Sequence, residues 1–238
     1  MLAGAGILGA AAVAVAQSPD SPLLVDPSWV AERLEDPALV LLHVGPEEDY
    51  ATEHLPGAVH VKLATLSAPE DHDGGSRLSL QMPEPAALAA ALEALGIGDG
   101  SRVVVYYGTD WVTASTRVIY TLDWIGLGDR VSLLDGGMQR WKAEGHPVTT
   151  AVRTPDRGSL TPRPRPERVV TADWVRARLD SAGYRIIDAR APVHYDGIQP
   201  TYLHRTPVRK GHIPGAANVP FSAIVDEALR IRPVEELR

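Results

Sequence analysis

Apolar residues cluster along this chain in runs of strand length, separated by stretches of helical spacing. Val40–Val44 is an apolar run broken only by His43, and Val103–Tyr107 and Val131–Leu134 are two more. Runs this short and this apolar predict strands buried on both faces of a parallel sheet. Between them, Pro85–Leu95 is rich in Ala and Leu and is closed by Gly96. Trp111–Ile125 is closed by Gly126, and Gly136–Glu144 ends at Gly145. Each has the glycine that commonly follows a helix C-terminus. Strands alternating with helices predict an α/β layered fold. From Thr149 to Glu167 the pattern lapses into a proline- and arginine-rich stretch that reads as a linker.

The chain also repeats itself. Leu24-Val25-Asp26-Pro27-Ser28-Trp29-Val30 returns as Val169-Val170-Thr171-Ala172-Asp173-Trp174-Val175, an offset of 145. Each copy predicts a short strand, an N-cap (Asp26 or Thr171) and an amphipathic helix, with Pro27 at a first-turn position where its missing N–H costs nothing. The offset holds through Tyr50 and Tyr195, then grows to 158, so that His54-Leu55-Pro56-Gly57-Ala58 matches His212-Ile213-Pro214-Gly215-Ala216. The second copy therefore carries 13 extra residues, within Asp196–Arg209.

Composition narrows the chemistry. With 45% hydrophobic and 22% charged residues over 238, this is an ordinary globular chain. Charge is uneven: residues 1–150 hold 8 Lys+Arg against 20 Asp+Glu, and residues 151–238 hold 15 against 10. The basic half includes Arg153, Arg157, Arg163, Arg165 and Arg168 in or beside the linker, without interleaved aromatics or a recognition motif, so no nucleic-acid partner is expected. Cysteine is absent, which removes disulfides, thiolate nucleophiles and thiolate metal sites together. The eight histidines show no metal-ligand spacing and no glycine-rich phosphate loop occurs, so neither metal nor cofactor is expected. The first sixteen residues are almost all small or apolar and end Ala14-Val15-Ala16. They resemble the apolar region and cleavage site of a secretory signal, although the first basic residue is Arg33. Export is the expectation, with a membrane association only if this leader is uncleaved and a cytoplasmic protein if it is misassigned.

Two motifs stand in register. Tyr50-x-x-x-His54-Leu55-Pro56-Gly57-Ala58-x-x-Val61 and Leu134-Asp135-Gly136-Gly137-x-x-x-Trp141 flank the Val103–Tyr107 run, and the second copy has its own His212-Ile213-Pro214-Gly215-Ala216. Together they resemble the tandem rhodanese-like sulfurtransferases that use thiosulfate or 3-mercaptopyruvate. That resemblance implies an α/β rhodanese-like three-layer fold with a parallel sheet in two tandem copies, the second incomplete. The organisation expected is a leader at 1–22, a first repeat at 23–148, the linker at 149–167 and a second repeat at 168–238. Measured against the first copy, the second stops before its fourth strand, about 60–70 residues short of a full domain. His54 and His212 read as residues that fix a turn, and Trp29, Trp141 and Trp174 as core anchors.

The resemblance also places the chemistry. In the family a cysteine ends the fourth strand and carries sulfur as a persulfide, stabilised by the amides of the following loop. Here that position in the first copy is Tyr107, a phenol of ordinary pKa about 10 that cannot accept and release sulfane sulfur. Ser115 and Thr113 lack a base in the local sequence. The family's Asp-x-Arg survives only in the second copy, as Asp188-Ala189-Arg190; the first has His43-Val44-Gly45. By resemblance Arg190 is the candidate substrate-binding residue, its guanidinium fork suited to a small anionic sulfur donor, with a salt bridge at the strand end as the structural alternative. No catalytic residue is assigned. The two functions that follow are a sulfurtransferase by descent, without the thiol its chemistry needs, and a non-catalytic binding or regulatory module. A cysteine-dependent phosphatase or arsenate reductase fails for the same missing thiol.

Overall fold

The computed structural model describes residues 22–69, 79–109, 112–200, 202–203, 206–207 and 209–237. The leader and parts of the inserted segment lie outside the described residues.

The first repeat is built on five parallel strands: β1 (Leu24–Val25), β2 (Leu39–Val44), β3 (Val59–Val61), β4 (Arg102–Tyr107) and β5 (Val131–Leu134). Their order across the sheet is β1-β5-β4-β2-β3. The four connections between successive strands carry α1 (Pro27–Ala31), α2 (Glu47–Thr52), α3 (Pro85–Ala94) and α4 (Val112–Leu122), and α5 (Gly137–Ala143) follows β5. Every residue of β2 is buried, because both faces of the sheet are covered. Val40, Leu42, Val44, Val103 and Val105 face Leu88 and Leu92 of α3 and Val118 and Leu122 of α4. The alternate residues Leu39, Leu41, Val104 and Tyr106 face Val30, Tyr50, Met138 and Trp141 from α1, α2 and α5. This two-sided burial is why the strands read as apolar runs and not as an alternation. The expected elements form within a residue or two. The exception is the helix after β4, which passes into a π-type turn at Asp123–Leu127 before Gly128.

Between a bridge of Thr149 to His54 and a 3-10 turn at Pro166–Arg168 the linker stretch has no regular structure, yet it is fastened along the first repeat. Leu160 is buried in the same core as α3, and its amide donates to Glu93 Oε1. Thr161 bonds Asp99, Arg163 and Arg165 donate through their amides to the carbonyls of Ile125 and Trp124, and Arg165 and Arg168 both pair with Asp123.

In the second repeat α6 (Ala172–Arg176) is capped by Thr171 as α1 is by Asp26, each side chain accepting from the amide three residues on. The strand expected at Val169–Val170 does not form. Its counterpart β1 exists by pairing with β5, and among the described residues of the second repeat no strand takes that place. What forms is one two-residue parallel pair, β6 (Ile187–Asp188) with β9 (Ala217–Asn218), joined by α7 (Pro192–Tyr195) and a small antiparallel pair, β7 (Tyr202–Leu203) with β8 (Thr206–Pro207). Trp174 departs from the expected core role. It is half-buried, edge-on to Tyr184 with the Arg178 guanidinium 4.1 Å from its ring, whereas Trp141 is fully buried.

Candidate functional site

The end of β4 is where the fold concentrates chemistry, since β2 and β5 flank it and the loop to α4 starts there. Tyr107 holds that position and is 1% exposed. Its hydroxyl donates to the Leu229 carbonyl at 2.7 Å, a residue of the second repeat. Around the ring, Val112 and Leu133 of the first repeat pack with Val225, and Ile224, Leu229 and Ile231 complete the cluster. Burial, reinforced by the Asp135 carboxylate, pushes the phenol further above its ordinary range. Tyr107 therefore stays neutral and committed to the interface. Ser115 is fully buried with its hydroxyl unpartnered, so no base is there to activate it.

His43 lies one strand over, paired in register with Tyr106 of β4 and His60 of β3. It is fully buried. Its Nδ1 is 3.3 Å from the Tyr106 hydroxyl, which also accepts from the Leu55 amide. Its Nε2 has no partner. Burial, with His60 close by, lowers its pKa to about 4. Motif comparison alone marks His43 only as a lost member of the Asp-x-Arg pattern. The available signal was a polar residue inside an otherwise apolar strand, which demands a partner or a purpose. Beside it, a cavity of about 170 Å³ is lined by His43, Asp49, Glu53, Gly108, Thr109 and Met138. It shares four of these residues with a space of about 390 Å³ that reaches Gln139, Lys142 and Leu229.

In the second repeat Arg190 sits at the end of β6, on a different sheet from Tyr107. Its Nε lies 2.9 and 3.1 Å from the two Asp188 carboxylate oxygens, and Nη2 donates to the Gly211 carbonyl at 2.8 Å. Asn218 clamps the strand end through the carbonyls of Asp188 and Arg190. The hydrogen bond from Arg190 holds the Asp188 carboxyl below its usual range. The Arg190 side chain is 35% exposed. Among the described residues no group of three or more His, Asp and Glu is set to hold a metal ion.

The two turn histidines occupy matching modules. His54 Nδ1 is 2.7 Å from the Tyr50 carbonyl, and the Tyr50 hydroxyl donates to the Ala58 carbonyl at 2.9 Å. His212 Nδ1 is 2.9 Å from the Tyr195 carbonyl, and the Tyr195 hydroxyl donates to Ala216 at 2.6 Å. Gly57 and Gly215 both take φ of 78°, a left-handed turn that glycine adopts without strain. The 13 extra residues leave the module intact, and both histidines serve the turn.

The family model for the rhodanese-like domain matches residues 26–144 and 171–236. The chain belongs to the rhodanese-like family. Among relatives, it is 34% identical over 227 residues to a probable 3-mercaptopyruvate sulfurtransferase of Pseudomonas aeruginosa, covering 91% of this chain and 77% of that one. It is 29% identical over 245 residues to thiosulfate/3-mercaptopyruvate sulfurtransferase 2 of Arabidopsis thaliana, covering 90% and 69%. Among solved structures, SseA of Escherichia coli, a 3-mercaptopyruvate sulfotransferase, superposes with a TM-score of 0.76 at 27% identity, covering 91% of this chain and 81% of SseA. The rhodanese-like fold with its parallel sheet is thus shared with a sulfur-transferring relative.

Proposed function

We propose that this chain is a sulfurtransferase by descent, of the kind that takes sulfane sulfur from thiosulfate or 3-mercaptopyruvate to a thiophilic acceptor such as cyanide, and that these 238 residues do not themselves turn over. The observation that carries this is the pairing of family membership with a complete absence of cysteine. In the reaction a cysteine thiolate takes the outer sulfur of thiosulfate, releasing sulfite and leaving a persulfide; the acceptor then removes that sulfur and frees the thiolate. No side chain here can hold the intermediate. Within this reading Arg190 binds the anionic end of the donor, and Asp188 fixes the orientation of its guanidinium. Purified chain incubated with thiosulfate and cyanide should form no thiocyanate above a protein-free blank. Saturable turnover would overturn the reading.

A second reading is favoured by one observation, the commitment of Tyr107 to Leu229 across the two repeats. In it the first repeat is a non-catalytic binding or regulatory module. Thiosulfate titration separates the two. A saturable shift of the Arg190 Nε resonance supports the first, and no shift in a folded chain supports the second.

A further inference from the structure

The described chain begins at the wall of an apolar cleft. The Ser132 hydroxyl donates to the Pro22 carbonyl, and the Leu133 amide donates to the Leu23 carbonyl at 2.7 Å, so the entry of the chain into β1 is fixed. Leu23 and Leu24 then line a cavity of about 450 Å³ with Ile119 and Tyr120 of α4 and with Ile224 and Ile231 of the second repeat. Leu23 and Leu24 remain 44% and 39% exposed. They lie at the margin of the sheet, where β1 has β5 as its partner.

The polar side chains of this cleft select an apolar occupant. The Tyr120 hydroxyl donates to the Arg168 carbonyl, the Thr116 hydroxyl donates to the Thr113 carbonyl, and the Asp123 carboxylate pairs with Arg165 and Arg168. With these groups satisfied inside the chain, what remains to be covered is hydrocarbon. The chain leading to Pro22 supplies it. Residues 1–16 are drawn entirely from Met, Leu, Ile, Val, Ala and Gly, and the first charged residue is Asp20. Residues 17–21 join that run to the cleft, and five residues reach at most about 17 Å. Within them Ser18-Pro19-Asp20-Ser21 has serine and proline in the order that favours a reversal of the chain. A tether this short holds the run near the cleft at an effective concentration on the order of millimolar, so a weak contact suffices.

We propose that this cleft is the docking site of the chain's own residues 1–16, which fold back over it and bury Ile7, Leu8, Val13 and Val15 against its walls. The walls come from both repeats, so the docked run adds an apolar contact between them. Its removal uncovers that surface. The site stands independently of any sulfur chemistry at Arg190.

The test uses the full chain. Because it has no cysteine, one introduced thiol takes a nitroxide label at a single place. With the label on Ala11→Cys, the methyl NMR signals of Leu24, Ile119, Ile224 and Ile231 should lose intensity and regain it when the nitroxide is reduced. The same label in a chain that also carries Leu8→Asp and Val13→Asp should leave those four signals near full intensity, since a carboxylate is not accepted against an apolar wall. Equal loss in the two chains would reflect the tether alone and overturn the proposal. So would undiminished signals in the first chain. Loss that appears in unlabelled chains mixed with labelled ones would make the occupant a second copy, and would overturn it as well.

Discussion

The hydroxyl of Tyr107 donates a 2.7 Å hydrogen bond to the carbonyl of Leu229, joining residues 122 apart in sequence and in different repeats. At the end of β4 this residue bolts the two repeats together. A phenol is well suited to bridging the repeats. Its ring fills the apolar contact among Val112, Leu133 and Val225, and its one polar atom satisfies a carbonyl that the contact would otherwise strand.

Tyr107→Phe keeps the ring and deletes the bond. It should cost about 1 kcal/mol, the net worth of one hydrogen bond plus an unsatisfied carbonyl. Tyr107→Ala should cost about 3–5 kcal/mol by leaving a cavity between the repeats. Denaturant unfolding measures both, and amide exchange at 224–231 should accelerate in the alanine variant. Equal stability of Tyr107→Phe and wild type would show that the bond contributes nothing.

Tyr107→Cys puts a thiol at the end of β4, yet it should not create sulfur transfer. A thiol there lies beside the Asp135 carboxylate, which disfavours its ionised form. The first repeat also offers His43 and Gly45 where the second has Asp188 and Arg190. Thiocyanate production from thiosulfate and cyanide by this variant would contradict the assignment of the first repeat as inactive.

His43 should make the protein acid-sensitive before its carboxylates do. Its pKa of about 4 in the folded chain lies below the ordinary value near 6.5. Between the two the unfolded chain binds a proton that the folded chain refuses, so stability is whole above about pH 6.5. It falls as pH drops toward about 4, by up to about 3 kcal/mol, and does not fall further on this account. His43→Gln should flatten that part of the stability curve relative to wild type. Parallel curves for the two would show that His43 does not titrate there.

The two repeats should differ in local stability. Val103, Val104 and Val105 are fully buried in a strand paired on both sides, whereas Ile187 is 56% exposed in a strand with one partner. The second repeat therefore draws its order from the cluster around Tyr107 and from its fastened linker, and buries little of its own. In hydrogen exchange, amides at 103–107 should be the slowest in the chain and those at 187–188 should exchange much faster. Comparable protection at both would mean that the second repeat is independently stable.

What the sequence by itself determined is local in origin. The apolar runs set the strands, glycines end the helices, and Asp26 and Thr171 cap α1 and α6 through bonds three residues long. The repeat, the tyrosine–histidine turn and the missing thiol are all legible without coordinates, because each depends on residue identity at short spacing. Tertiary structure alone decided the rest. Val169 and Val170 form no strand although Leu24 and Val25 do, since a strand exists only through its neighbour in the sheet. The same holds for the burial of Leu160, the contact of Tyr107 with Leu229 and the unpartnered nitrogen of His43. Each depends on which surfaces meet across tens of residues, and local pattern carries no record of that meeting.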